Sequence, residues 1–335
     1  MRILLTLICT VLLAASAVSA QQPAPGGAGT QTSPDLEEAA RLTDEVLKLY
    51  AAGKFAEALP AATRALELRE KELGRNHAQV GGALLNLAAV ESMLGRPEDA
   101  KGHYRRAVSV FEKEGDAGLR PLINALEGQA RVESYAFSSI ELYKRALSLK
   151  EKTFGPDSAE VARTLFPLGH LNDLTGQREE AKRYFRRFTE VASKSKAVAD
   201  DDLAVAYLRL GCIARREGKE DEAFSLGQQA QETFKAAADK RGPFEGGVIN
   251  GKVVSKPQPV YPAEAKRARA EGTVEVEMLV GENGRVLSAC ATGSADKSLK
   301  AASEFAAYNA RFTPTLLDGK PVKVRGIITY RFILR

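Results

Sequence analysis

The 335-residue sequence contains no tryptophan, only three histidines and only three cysteines. Without tryptophan, a carbohydrate-stacking or aromatic-box site is disfavoured. His77, His103 and His170 are isolated, and no spacing matches a metal-ligand set. There is no nucleophile elbow, zinc motif or phosphate-cradling glycine loop. Glu275 and Glu277 alternate onto one strand face as solvent-facing positions rather than an acid/base pair. The sequence therefore reads as non-enzymatic and implies no cofactor and no metal. A long apolar run is also missing: Ile3 to Ala15 falls short of the ~20 residues that span a bilayer.

That run instead reads as the core of a signal peptide over residues 1–20. Arg2 supplies the positive start, and Val18-Ser19-Ala20 places small residues where a signal peptidase cuts. Cleavage before Gln21 leaves an exported chain with no stable membrane anchor. A lipoprotein reading through Cys9 is weaker, because Ile8 stands where a lipobox carries Gly or Ala. Residues 21–34 are rich in Pro, Gly, Ser and Thr, a flexible leader, and Asp35 is the expected N-cap of the first helix. The remaining thiols, Cys212 and Cys290, invite a disulfide in an oxidising compartment. Two buried thiols in separate domains are the preferred reading, since domain-spanning bridges are uncommon.

With 44% hydrophobic and 27% charged residues the chain is an ordinary folded one, long enough for two domains. One phrase organises its first two thirds. It reads Gly53-Lys-Phe-Ala-Glu-Ala58, Gly95-Arg-Pro-Glu-Asp-Ala100, Gly176-Gln-Arg-Glu-Glu-Ala181 and Gly218-Lys-Glu-Asp-Glu-Ala223. A degenerate copy, Ser134-Tyr-Ala-Phe-Ser-Ser139, falls between the second and third. Each copy reads as a turn between antiparallel helices. Gly ends one helix in the left-handed conformation, and the acidic residues suit the positive start of the next. Apolar residues at helical spacing flank every copy, as in Leu84, Leu87 and Ala88 before one and Tyr104, Ala107 and Phe111 after it. Repetition at this period predicts a stacked array over residues 35–241.

The phrase and its phase resemble tetratricopeptide repeats. The connectors Leu73-Gly-Arg-Asn-His77 and Phe154-Gly-Pro-Asp-Ser158 resemble the kinesin-light-chain type. That resemblance implies a mainly α, right-handed solenoid of five helix pairs whose first helices line a concave, peptide-binding face. On that face stand Asp44, Asn86, Ala125, Pro167 and Arg209, each at the same distance before its turn. Asn86 is then a candidate for reading a peptide backbone, and Arg209 for holding an acidic group. Pro167 removes a helix hydrogen bond and is expected to kink its helix.

A linker at 242–247 ends the helical spacing, and residues 248–335 read as a small α+β domain. Gly272 to Val280 alternates as a half-buried strand, Glu282-Asn-Gly284 is a hairpin turn, and Arg285 to Ala291 returns. Ser298 to Ala310 is a helix with Leu299, Ala302, Phe305 and Ala306 on one face, and Val322 to Leu334 is a last strand. Within that strand the set Val324, Gly326, Ile328, Tyr330 and Phe332 is expected to face the core. Pro259-Val-Tyr-Pro262, Gly272-Thr-Val, Gly284-Arg-Val286, Phe312-Thr-Pro314 and Gly319-Lys-Pro-Val322 resemble, in that order, the C-terminal domain of TonB proteins. The resemblance implies an antiparallel sheet, a Gram-negative periplasm, and capture of an extended receptor segment, the TonB box, by strand addition. The candidate contact residues are Gln258, Tyr261, Arg325, Ile327 and Arg331.

A TonB energy transducer also has an uncleaved membrane anchor and a long Pro-rich spacer, and this sequence reads as having neither. An excess of basic residues in the last segment suits acidic partners, while export and the lack of interleaved aromatics argue against nucleic acid. The sequence thus predicts a periplasmic interaction scaffold that binds proteins or peptides, among them TonB-box-bearing outer-membrane receptors. The second reading is an accessory of receptor-mediated uptake.

Overall fold

The computed structural model describes residues 33–195, 198–241, 251–293, 295–317 and 319–334. The expected signal segment, most of the leader and the 242–247 linker lie outside the described residues. Ten helices alternate across short turns: α1 (Pro34–Ala51), α2 (Phe55–Leu73), α3 (Ala78–Met93), α4 (Pro97–Phe111), α5 (Leu119–Val132), α6 (Ala136–Phe154), α7 (Ala159–Leu174), α8 (Arg178–Lys194), α9 (Asp200–Arg216) and α10 (Glu220–Arg241). They form the five expected pairs. The cap of α1 is Ser33 rather than Asp35: its hydroxyl accepts from the Asp35 amide at 3.3 Å, and Pro34 takes the first helical position, where no amide is needed.

Four of the five turns follow one rule. Gly53, Gly95, Gly176 and Gly218 all adopt positive φ, between 71° and 79°. This bends the chain so that the next amide reaches back to an orphan carbonyl of the helix just ended. The bonds run from Lys54 to Leu49, Arg96 to Glu91, Gln177 to Asn172 and Lys219 to Ala214, at 2.8–3.0 Å. The third turn has no glycine, and Glu133 is extended there, with φ −69° and ψ 131°. Its carbonyl at the same phase is Ala130, and the buried Ser139 hydroxyl donates to it at 2.7 Å. Ser139 occupies the place that Ala58, Ala100, Ala181 and Ala223 hold elsewhere. The degenerate copy therefore keeps its cap by supplying a side-chain donor.

The chain divides into two compact units between Pro156 and Asp157, inside the repeats. In the first, alanines at the turn positions allow close helix approach, and Leu84, Leu87, Ile123 and Leu126 fill the space between helices. Ion pairs bridge successive pairs on its surface, among them Lys101–Glu133 at 2.7 Å and Arg145–Glu112 at 2.6 Å.

The second unit holds α7 to α10 and the terminal domain. Helix α7 runs unbroken through Pro167. Proline deletes one backbone bond, and the fully buried Leu165, Leu168 and Leu171 on either side keep the rest of the helix packed. The terminal domain comprises β1 (Val253–Ser255), α11 (Ala263–Arg267), β2 (Gly272–Val280), β3 (Val286–Thr292), α12 (Lys297–Tyr308), β4 (Arg311–Phe312), β5 (Thr315–Leu317), β6 (Lys320–Val322) and β7 (Val324–Phe332). Its main sheet is antiparallel with order β3-β2-β7; β1 pairs with the distant β4, and β5 and β6 form a short antiparallel pair. The β2–β3 turn depends on Gly284, at φ 74°; a Cβ there would stand 1.8 Å from the Phe312 carbonyl oxygen.

Val274, Val276 and Met278 of β2, Ala289 and Ala291 of β3, and Ile328, Tyr330 and Phe332 of β7 pack against α12 through Leu299, Ala306 and Ala307. The alternation expected for β7 is observed at Ile328, Tyr330 and Phe332, whereas Val324 is half-buried and Gly326 is exposed. Phe305 departs from expectation and is 41% exposed. At 100° per residue it lies about 120° round the helix from Leu299, beyond a core-facing stripe. Glu304 is buried instead.

Candidate protein-interaction surfaces

A three-stranded sheet has two edges, and each exposes a row of backbone donors and acceptors. In an antiparallel strand the N–H and C=O of one residue point to the same side, and successive residues alternate. On β7 the Thr329 carbonyl accepts from the Lys256 ammonium at 3.1 Å, so it points away from β2. Arg325, Ile327 and Arg331 share its phase and turn their backbone groups to the same open edge. Their side chains are exposed, Ile327 at 65%. Among the described residues no strand pairs with β7 on that side.

Side chains occupy two backbone groups on the β3 edge. The Arg209 guanidinium on α9 donates to the Leu287 carbonyl at 2.9 Å. The Ala291 amide donates to the Glu304 carboxylate of α12 at 2.8 Å. Both side chains belong to a buried ionic cluster. Arg216 bonds Asp173 and Glu304, each at 2.8 Å, and Arg209 lies 3.6 Å from Asp173. Arg209 also stacks on the Tyr308 ring, 4.8 Å from its centre, and His170 packs on the same ring. The positions come from helical spacing. Arg209, Cys212 and Arg216 recur on one face of α9, and that face lies on β3.

Burial and charge set the protonation of this cluster. Burial, aided by Arg209, pushes the His170 pKa down to about 3, so the imidazole is neutral. Burial opposes the Asp173 charge, yet Arg216 and Arg209 together hold its carboxyl below the usual range. Burial raises Glu304 despite Arg216 and the Ala291 amide. Asp173 is thus the firmly ionised carboxylate, and Glu304 the one most readily protonated.

The expected contact residues divide accordingly. Arg325, Ile327 and Arg331 come together on β7, and Gln258 is exposed in the stretch leading to α11. Tyr261 is partly buried; its hydroxyl donates to the Ala270 carbonyl at 2.6 Å and its ring meets Phe332 edge-on. It serves as a packed strut. Asn86 is half-buried on α3, in the first unit. Arg209 is 3% exposed, and its charge is spent on the chain's own Leu287, Asp173 and Tyr308 rather than offered to an outside acidic group. Sequence reasoning passed over Asp173, Arg216 and Glu304. The available signal was two cations and a cysteine on one face of α9, together with a carboxylate inside an Ala-rich helix.

Residues 257–334 match the family model described as Gram-negative bacterial TonB protein C-terminal, and residues 48–113 and 136–194 match that of the tetratricopeptide repeat. A Podosopora anserina kinesin light chain with nearly identical repeats superposes with a TM-score of 0.53 at 14% identity, covering 63% of this chain and all of that one. A single-substitution variant of that protein gives 0.52 at 15% identity, covering 62% of this chain and 99% of that one. Aspartyl phosphate phosphatase F from Bacillus subtilis gives 0.51 at 19% identity, over 61% of this chain and 52% of that one. At these identities the likeness is one of fold. No curated protein matches the chain. Among the described residues no helix is long and apolar enough to cross a membrane.

Proposed function

We propose that this chain, a tetratricopeptide-repeat array joined to a TonB-type C-terminal domain, is an exported periplasmic scaffold. Its terminal domain captures an extended segment of a cell-envelope partner by strand addition. The open β7 edge carries the reading: outward backbone groups at Arg325, Ile327, Thr329 and Arg331, with an exposed apolar Ile327 between two cations. Main-chain bonds supply affinity in this mode, and alternate side chains supply selectivity. The Lys256 ammonium at the Thr329 carbonyl is exposed, so an arriving amide displaces it at little cost.

Envelope extract passed over the full chain and over its Ile327→Pro variant tests this. Proline removes one outward amide and obstructs an added strand, while the α12-facing core is untouched. The expected result is at least tenfold weaker capture by a variant with unchanged circular dichroism, and slowed amide exchange at Ile327 and Arg331 when the wild type is occupied. Capture that survives the substitution, or a variant that unfolds, refutes the edge. An uptake accessory is the second reading, favoured by the TonB-type match; competition by TonB-box peptides separates it from a general scaffold.

A further inference from the structure

Cys212 and Cys290 were expected in separate surroundings, yet the fold brings them together. Cys212 lies on α9 between two points at which that helix touches β3. On one side Arg209 bonds the Leu287 carbonyl, and on the other the Arg215 guanidinium stands 3.6 Å from the Cys290 sulfur. Register places Cys290 opposite Glu277, on the sheet face away from the α12 core, and Glu277 in turn lies 4.0 Å from Arg215. Both thiols are free and buried. Arg215, one turn along α9 from Cys212, thus brings that stretch of the helix onto Cys290, and each thiol shifts the other's pKa.

We propose that Cys212 and Cys290 form a thiol–disulfide exchange site, whose closure ties the last repeat covalently to the β3 edge. The co-reactant is a small or protein disulfide, represented by oxidised glutathione. The Cys290 thiolate attacks one glutathione sulfur; that S–S bond breaks, and one glutathione leaves as a thiolate that takes up a proton. The Cys212 thiolate then attacks the Cys290 sulfur of the mixed disulfide and releases the second glutathione. Two protein thiols are oxidised to one disulfide, one glutathione disulfide is reduced to two thiols, and the two thiol protons end on glutathione.

The order of attack follows from the surroundings. Cys212, with Arg215 and Arg216 nearby, holds the Cys290 thiol below its usual range, whereas Cys290 and burial push Cys212 up. The thiolate is the nucleophile, so Cys290 reacts first. Covalent closure holds β3 against α9 and leaves β7 as the open edge. The chemistry is independent of where the chain resides, so it stands or falls separately from the export reading.

The test equilibrates the reduced full chain with a series of glutathione ratios, natively and in urea, followed by acid quench, alkylation and tryptic mapping. The expected product is the peptide of residues 210–215 linked to that of residues 286–297 within monomers. The exchange equilibrium constant should be at least tenfold larger in the native chain, because the fold prepays the encounter. Glutathione adducts that persist on either cysteine, links between chains, or an equal or smaller native constant overturn the proposal. The Cys212→Ala variant checks the order: Cys290 should then hold a stable glutathione adduct, and an inert Cys290 also overturns it.

Discussion

Replacing Ser139 by alanine restores the residue that the other four turns carry, and repeat consensus predicts a gain in stability. The structure predicts a loss. In those four turns a backbone amide satisfies the carbonyl four residues before the glycine, whereas here the Ser139 hydroxyl satisfies Ala130 at 2.7 Å. Ser139 is 4% exposed, so water does not readily replace it. An unsatisfied buried carbonyl costs about 1–3 kcal/mol, and alanine returns at most about 0.5 kcal/mol in helix propensity. The net expectation is a destabilisation of about 1–2 kcal/mol. Urea unfolding followed by far-ultraviolet circular dichroism reads it as a lower midpoint. A Ser134→Gly change in the alanine background supplies the missing left-handed residue and should recover most of the loss, because the Tyr135 amide can then reach Ala130. The coupling between the two sites is thus favourable and near 1 kcal/mol. A Ser139→Ala protein as stable as the wild type, or strictly additive changes, would refute the account of the turn.

Three further outcomes are expected in the second unit. His170 has a folded pKa of about 3 against 6.5, so its contribution is full above pH 6.5 and is lost as pH falls towards 3. Between pH 6.5 and 5 the loss is about 2 kcal/mol, and His170→Phe should remove that part of the pH dependence in urea titrations. Arg216→Met leaves Asp173 and Glu304 without their shared cation and should cost about 3–5 kcal/mol, read as a lower melting temperature. Proteolytic nicking within 242–250 should leave two fragments that co-elute on gel filtration while the Arg209 and Arg216 contacts hold; a terminal fragment that elutes alone contradicts the junction.

Much of the architecture was legible because it is local. Glycine at a repeated phase, acidic residues after it and a small residue at the close specify a helix turn without reference to anything distant. The alternation of Ile328, Tyr330 and Phe332 with Ile327, Thr329 and Arg331 likewise marked the buried side of that half of β7. What escaped was non-local or needed one more geometric step. Arg209 meets Leu287 across 78 residues, and nothing in either neighbourhood announces the pairing. On its own helix Arg209 has the pattern of a solvated concave-face cation, and only the sheet laid against it makes it a core residue. Phe305 is apolar enough for the core face of α12, but its angle around the helix puts it outside that face. Ser139 was recognised as part of a worn repeat, but its hydroxyl gains meaning only when the orphaned Ala130 carbonyl is counted.

The unequal treatment of the two sheet edges also limits what can dock. Charged side chains from α9 and α12 occupy the Leu287 carbonyl and the Ala291 amide on the β3 edge, which is why the strand addition we propose is assigned to β7. A second copy of the chain is the nearest competitor for that edge. Antiparallel self-pairing centred on Ile328 would set Arg325 of each copy across from Arg331 of the other, with both side chains on the exposed face. Like charges directly opposite destabilise a strand pair, and edge cations commonly guard against self-association. A segment with acidic residues at those two places and an apolar one between them meets the opposite situation, with Ile327 offering the central contact. If β7 takes up a strand as proposed, charge and phase at this edge discriminate against the chain itself and in favour of an acidic, extended partner.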